Sequence, residues 1–122
     1  MARVMIVDDS PTDVLMMKSI LETGGHVVMA ATDGAEAIER IKQAKPDCVL
    51  MDVVMPGING FAATRTLARD AATAHIPVIV VSSKSAESDR LWAMRQGARE
   101  YLVKPVEASA LLGKVAELTG GR

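Results

Sequence analysis

The chain has 122 residues, a length that suits one domain, and nearly half of them are apolar, enough for a buried core. With one Trp, one Tyr and one Phe, that core must be built from Val, Ile, Leu, Met and Ala. A net charge of −1 without any Lys/Arg run excludes a basic nucleic-acid or membrane footprint, and a single cysteine, Cys48, excludes an internal disulfide.

The start, Met1-Ala2-Arg3, leads into a short apolar run ended by two aspartates. That is too short for a signal peptide or a membrane span, so a soluble cytoplasmic protein is expected. Residues 4–7 read as a strand. Ser10-Pro11 then opens a helix, serine capping free N–H groups and proline suiting the first helical position. Val14, Leu15, Met17, Ile20 and Leu21 recur at helical spacing until Gly24-Gly25. Residues 26–30 form a second strand. Asp33-Gly34 starts a helix through about residue 43, with Ala37, Ile38 and Ile41 facing inward.

A third strand covers 48–51, with Cys48 as buried packing. Met55-Pro56-Gly57-Ile58-Asn59-Gly60 is a loop by its Pro, Gly and Asn content, Gly57 and Gly60 serving its backbone geometry. A third helix spans roughly 61–69. Residues 77–81 are continuously apolar and β-branched, the mark of a strand buried on both faces. A helix over 87–96 stops at Gly97, a fifth strand covers 101–103 and a last helix 108–118. The final Gly120-Gly121-Arg122 reads as a frayed tail. Five βα units in series imply an α/β fold, a parallel sheet with helices on both faces.

The chemistry lies where the apolar runs end. The first strand ends in Asp8-Asp9, the third in Asp52, the fourth in Ser82-Ser83 and the fifth in Lys104-Pro105. In a parallel sheet these ends share one edge, and open α/β sheets bind ligands there. If the first and third strands are neighbours, three carboxylates crowd together beside Lys104 and Ser82. A small hard cation relieves such repulsion, and Mg²⁺ takes carboxylates, waters and a phosphate oxygen. A carboxylate can also attack phosphorus, provided the equatorial oxygens are neutralised by Mg²⁺, an ammonium and a hydroxyl. Each element alone is an ordinary turn, cap or strand end; four strand ends in this combination are not.

On these residues the chain resembles the response-regulator receiver family, over essentially all 122 residues. The matching segments are Val4-Met5-Ile6-Val7-Asp8-Asp9-Ser10, Val49-Leu50-Met51-Asp52-Val53-Val54-Met55-Pro56-Gly57-Ile58-Asn59-Gly60, Pro77-Val78-Ile79-Val80-Val81-Ser82 and Gly97-Ala98-Arg99-Glu100-Tyr101-Leu102-Val103-Lys104-Pro105. The resemblance implies a doubly wound, flavodoxin-like receiver fold with strand order 2-1-3-4-5, and one receiver domain over 1–122 without an output domain. It implies a signalling switch rather than an enzyme, one that catalyses only its own phosphorylation and dephosphorylation. A sensor histidine kinase would donate a phosphoryl group to Asp52. Asp9 and Asp52 would hold Mg²⁺ directly, Asp8 partly through water, and the Val54 carbonyl would add an oxygen. Lys104 would contact the phosphoryl group, its bond to Pro105 being cis where proline chemistry alone favours trans. Ser82 and Tyr101 match the switch pair: Ser82 drawn inward, Tyr101 following. The face of the fourth helix, fifth strand and fifth helix would then be reshaped for a downstream protein target. A monomer is expected.

Asp8-Asp9-Ser10-Pro11 and Leu91-Trp92-Ala93-Met94-Arg95-Gln96-Gly97-Ala98-Arg99-Glu100-Tyr101-Leu102 look like the stand-alone regulators of type IV pilus twitching motility, with other chemotaxis-like types the alternative. A phosphate sink or phosphorelay intermediate would use the same residues. Two positions depart from the chemotaxis regulator: Val54 replaces an Asn, and Lys84 replaces an acidic residue, both beside the path of the hydrolytic water. An apolar Val54 should organise that water poorly and slow self-dephosphorylation.

Two other functions fit less well. An aspartyl-phosphate phosphohydrolase usually has a general-acid aspartate two residues past the nucleophile, where this chain has Val54, and 122 residues leave no room for a cap domain. A flavodoxin-like cofactor binder needs a phosphate-cradling loop after the first strand, where Asp8-Asp9 would repel phosphate without Mg²⁺. Trp92 and Met94 read first as partly buried packing, with Trp92 beside Arg95 and Arg99 as a partner anchor in second place. His26 and His75 lack ligand-spaced neighbours, and the eight methionines mostly fill core positions.

Overall fold

Two apolar sets interleave along the strands, and that alternation builds the layers. A computed structural model of the chain describes residues 1–120. It has strands β1 (Arg3–Val7), β2 (Val27–Ala31), β3 (Cys48–Met51), β4 (Val78–Ser82) and β5 (Glu100–Val103), all parallel, in the order 2-1-3-4-5. Helices α1 (Pro11–Thr23), α2 (Gly34–Ala44), α3 (Gly60–Arg69), α4 (Glu87–Arg95) and α5 (Ala108–Leu118) connect and follow them. This is the doubly wound parallel α/β architecture, with the strand order expected from the sequence.

Successive strand side chains point to opposite faces. Met5, Val7, Val49, Met51, Val78 and Val80 therefore form one core with Ala37, Ile38 and Ile41 of α2, Ala63 and Leu67 of α3, and Ala93 of α4. Val4, Ile6, Cys48, Leu50, Ile79 and Val81 form the other, against Met17 and Leu21 of α1 and Leu111 and Val115 of α5. Each fully buried Val, Leu or Ile contributes roughly 1.5–3 kcal/mol of transfer free energy. Both faces are covered, which is why the central runs are continuously apolar.

Most element boundaries fall within a residue of expectation, and the differences have local causes. β2 begins at Val27, not at His26, because the His26 N–H closes α1 by donating to the Leu21 carbonyl at 3.0 Å. The His26 ring is a structural acceptor as well, its Nδ1 taking the Ala2 N–H at 3.0 Å. β4 starts at Val78 because Pro77 has no N–H to donate, and it runs on to Ser82, paired with Val103. Leu15 does not share the inner face of α1. It sits about 200° around the helix from Met17 and is 69% exposed. Of the expected tail, Gly121 and Arg122 lie outside the described residues.

Among the described residues no helix is long and apolar enough to cross a membrane.

Candidate functional site

Register brings the strand ends together. Val7 of β1 lies beside Met51 of β3, so the residues that follow, Asp8 and Asp52, emerge side by side. The Asp52 N–H extends the ladder to the Val7 carbonyl at 2.9 Å, and the Asp8 N–H bonds the Ala31 carbonyl of β2 at 3.1 Å. Carboxylate oxygens of Asp8, Asp9 and Asp52 lie within 4.8 Å of one another. Asp8 is buried at 1% exposure, Asp52 is 9% exposed and Asp9 faces solvent. An all-oxygen anionic set of this size matches the donors a hard divalent cation prefers.

Lys104, just past the end of β5, reaches across the sheet edge into this cluster. Its N–H donates to the Ser82 carbonyl at 2.8 Å, and its bond to Pro105 is cis. Its ammonium Nζ donates to Asp8 Oδ2 at 2.8 Å, to Asp13 Oδ2 at 2.9 Å and to Asp52 Oδ1 at 3.4 Å. Burial disfavours the charge on Lys104, but hydrogen bonds to Asp13 and Asp8 and the charge of Asp52 outweigh it and hold the ammonium above its ordinary value. For Asp52 burial dominates, the charge of Asp8 adds to it, and together they raise the carboxyl above the usual carboxylate range despite Lys104.

The loop after β3 is fixed by alternation as well. Val53 and Met55 are buried, which leaves Val54 projecting between them at 64% exposure. Gly60 then closes the loop, its N–H donating to the Val53 carbonyl at 2.8 Å, and Asn59 caps α3 through the Ala62 N–H at 2.9 Å.

Ser82 is buried at the end of β4, and its hydroxyl accepts the Lys84 N–H at 3.1 Å. The Tyr101 hydroxyl donates to the Lys84 carbonyl at 2.7 Å, while burial pushes the phenol above its ordinary value. Ser82 and Tyr101 thus meet on the two polar atoms of one peptide residue, Lys84, whose side chain the sequence had singled out only for its charge. On α4, Leu91 and Trp92 are each about half exposed, at 53% and 49%, so Trp92 is the partly buried residue expected and still has half its surface open to a partner.

Asp13 escaped the reading of strand ends. It sits in the first turn of α1, where acidic residues are common and serve the helix dipole. Its place five residues after Asp8, on a helix that starts directly behind the aspartate pair, was the available signal. Beside this cluster a recess of about 390 Å³ is lined by Asp8, Asp9, Pro11, Val14, Leu15, Lys18, Ala30 and Thr32.

An aspartate pair after one strand, a third aspartate after its neighbour and a lysine spanning to them, all on the carboxyl edge of a 2-1-3-4-5 sheet, define a class of signalling domain. The family model for the response regulator receiver domain matches residues 4–116, and the chain belongs to that family. Within it, the chain is 50% identical over 121 residues to protein PilH of Pseudomonas aeruginosa, covering 99% of this chain and 100% of that protein. It is 37% identical to chemotaxis protein CheY of Thermotoga maritima, over 90% of this chain and 91% of that one. A putative response regulator from Chloroflexus aurantiacus superposes with a TM-score of 0.94 at 28% identity, covering 98% of each chain. Several other curated relatives are longer, the chain spanning about a quarter to a half of their length.

Proposed function

We propose that the chain is a phosphorylation-activated switch in which Asp52 accepts a phosphoryl group from a sensor histidine kinase. The observation that carries this reading is the Lys104 ammonium lying 3.4 Å from Asp52 Oδ1 while Asp8 and Asp9 stand within 4.8 Å. An Asp52 oxygen would attack the phosphorus of a phosphohistidine. The P–N bond breaks, and the histidine nitrogen keeps the bonding pair and regains a proton from solvent. Lys104 would pair with one equatorial oxygen and the Ser82 hydroxyl with another, as charge builds on the transferring group. The recess beside Asp9, with Leu15 and Val14 on one wall, is a fitting approach for the donor.

Mg²⁺ is the cofactor the donor set fits. Asp9 and Asp52 would hold it directly, Asp8 partly through water, and the Val54 carbonyl would contribute an oxygen. Bound there, the ion would neutralise charge on the phosphoryl oxygens. Asp8 is buried and already carries a short bond to Lys104, which favours an indirect role for it.

The switch would pass from Ser82 to Tyr101 through Lys84. When the Ser82 hydroxyl turns to the phosphoryl group it gives up the Lys84 N–H, and the loop that holds the Tyr101 hydroxyl is released. The exposed Leu91 and Trp92 would join the changed surface of α4, β5 and α5 as anchors for a downstream protein. Likeness to PilH favours control of twitching motility, and the switch would act as a cytoplasmic monomer.

Incubation with acetyl phosphate, with and without Mg²⁺, followed by intact mass tests the reading. One phosphoryl group on the wild type, dependent on Mg²⁺ and absent from Asp52→Ala, is the expected result. A mass gain that survives Asp52→Ala, or none in the wild type, would refute it.

A further inference from the structure

The Asp13 carboxylate is the one member of the charge cluster that no strand end supplies. It projects from the first turn of α1 with its side chain 30% exposed, and Lys104 reaches it from 91 residues further along the chain. An ammonium has three protons to donate. Asp8 takes one at 2.8 Å and Asp13 another at 2.9 Å, which leaves Asp52 a longer contact of 3.4 Å. In the resting protein, Asp13 therefore holds the ammonium more closely than Asp52 does.

Resting on the assignment of Asp52 as phosphoacceptor, we propose that Asp13 is a positioning residue, a latch that holds Lys104 to α1 and must let go before Lys104 can bind the phosphoryl group. A phosphoryl group on Asp52 adds charge and acceptor oxygens, so Lys104 must turn a proton toward it. The third proton, facing Asp52 at 3.4 Å, is the one to turn, and as Nζ moves in behind it one of the bonds at 2.8 Å and 2.9 Å has to lengthen and yield. Asp8 is 1% exposed and has no water to return to. Asp13 is part-exposed and can be rehydrated cheaply. It also stands at the amino end of α1, where the helix dipole favours a free carboxylate, so release leaves its charge compensated. Asp13 is the partner that yields.

The test is the rate of Asp52 phosphorylation of the intact chain by acetyl phosphate at saturating Mg²⁺, followed by intact mass. Asp13→Asn keeps the side-chain shape, removes the charge, and spares the transition state the breaking of one ion pair. Its saturating rate should rise about fivefold, the scale of one partly exposed charge-assisted hydrogen bond, with a smaller change in the half-saturating acetyl phosphate concentration. Asp13→Ala should accelerate as well, and Asp13→Glu, still able to reach the ammonium, should return to the wild-type rate. In a Lys104→Gln background Asp13→Asn should change nothing, because Asp13 acts only through that ammonium. A bridge with a merely structural role would slow the reaction when cut. Rates for Asp13→Asn and Asp13→Ala at or below wild type, or equal acceleration without Lys104, overturn the latch and leave Asp52 as phosphoacceptor. A wild-type chain that takes no phosphate removes both.

Discussion

Gly60 is the position where one methyl group should do the most damage. A Cβ there would stand 1.8 Å from the Asp52 carbonyl oxygen, 2.7 Å from its carbonyl carbon and 2.9 Å from Val53 Cα. All three are backbone atoms, so no side chain can swing aside. Either the first turn of α3 withdraws, breaking the 2.8 Å bond from Gly60 N–H to the Val53 carbonyl, or the Asp52 peptide moves. Overpacking costs about 1–3 kcal/mol and a lost backbone hydrogen bond about 1 kcal/mol, so Gly60→Ala should destabilise by about 2–4 kcal/mol. That is a large part of the roughly 5–15 kcal/mol that holds a domain folded. Gly113 provides the control. It lies exposed in α5 with nothing within 4 Å of its added Cβ, so Gly113→Ala should stabilise by about 0.5–1 kcal/mol through helix propensity alone. Urea unfolding of the three proteins should give equal slopes, with midpoints in the order Gly113→Ala, wild type, Gly60→Ala. Gly60→Ala should also phosphorylate more slowly, since the displaced peptide is that of Asp52. A Gly60→Ala midpoint equal to wild type would show that the β3–α3 loop is free to shift, and the reasoning would fail.

Two further outcomes follow from the site. Burial and the charge of Asp8 raise the Asp52 carboxyl, so the folded chain binds that proton more tightly than the unfolded chain. The stability this contributes is fully present below the unfolded value of about 3.9 and is lost as pH rises through the raised folded value. In EDTA at pH 7, Asp52→Asn should therefore melt above wild type, with the gap closing as the pH falls toward 4; a wild type that melts higher at neutral pH contradicts this. Val54, 64% exposed beside the site, offers a hydrolytic water no hydrogen bond. Val54→Asn should shorten the lifetime of the acyl phosphate about two- to tenfold, the worth of one hydrogen bond, and equal decay of labelled protein would count against that role.

The layers were legible because period-two alternation within short β-branched runs needs no distant information. The edge that gathers Asp8, Asp9, Asp52, Ser82 and Lys104 was legible for a related reason: parallel strands with both faces buried can place polar residues only at their ends. What stayed hidden depended on side chains crossing between elements. Asp13 pairs with Lys104 over a separation of 91 residues, while its local setting matches any first-turn acid. Leu15 fitted a helical apolar pattern that α1, covered on one side only, did not bury. The boundary at His26 slipped by one because its N–H serves the preceding helix, a choice between two local hydrogen bonds that composition does not reveal. Trp92 was partly legible: about half its surface is covered, but the inward contact of its helix is made by Ala93, the one buried residue of α4.

The charge balance explains why this edge can respond to a ligand at all. Asp8, Asp9, Asp13 and Asp52 bring four carboxylates and Lys104 one ammonium, a formal charge of −3 with all ionised; a divalent cation would leave −1. A cluster neutralised within itself would hold its bonds whatever arrived. Here the excess is spread over groups of graded burial, from Asp8 at 1% to the exposed Asp9. The buried members stay in place because water cannot replace their partners, and the exposed ones can exchange partners at low cost. Rearrangement then runs toward the rim, where α1 and the β4–α4 loop begin, and away from the two apolar cores that keep the sheet rigid.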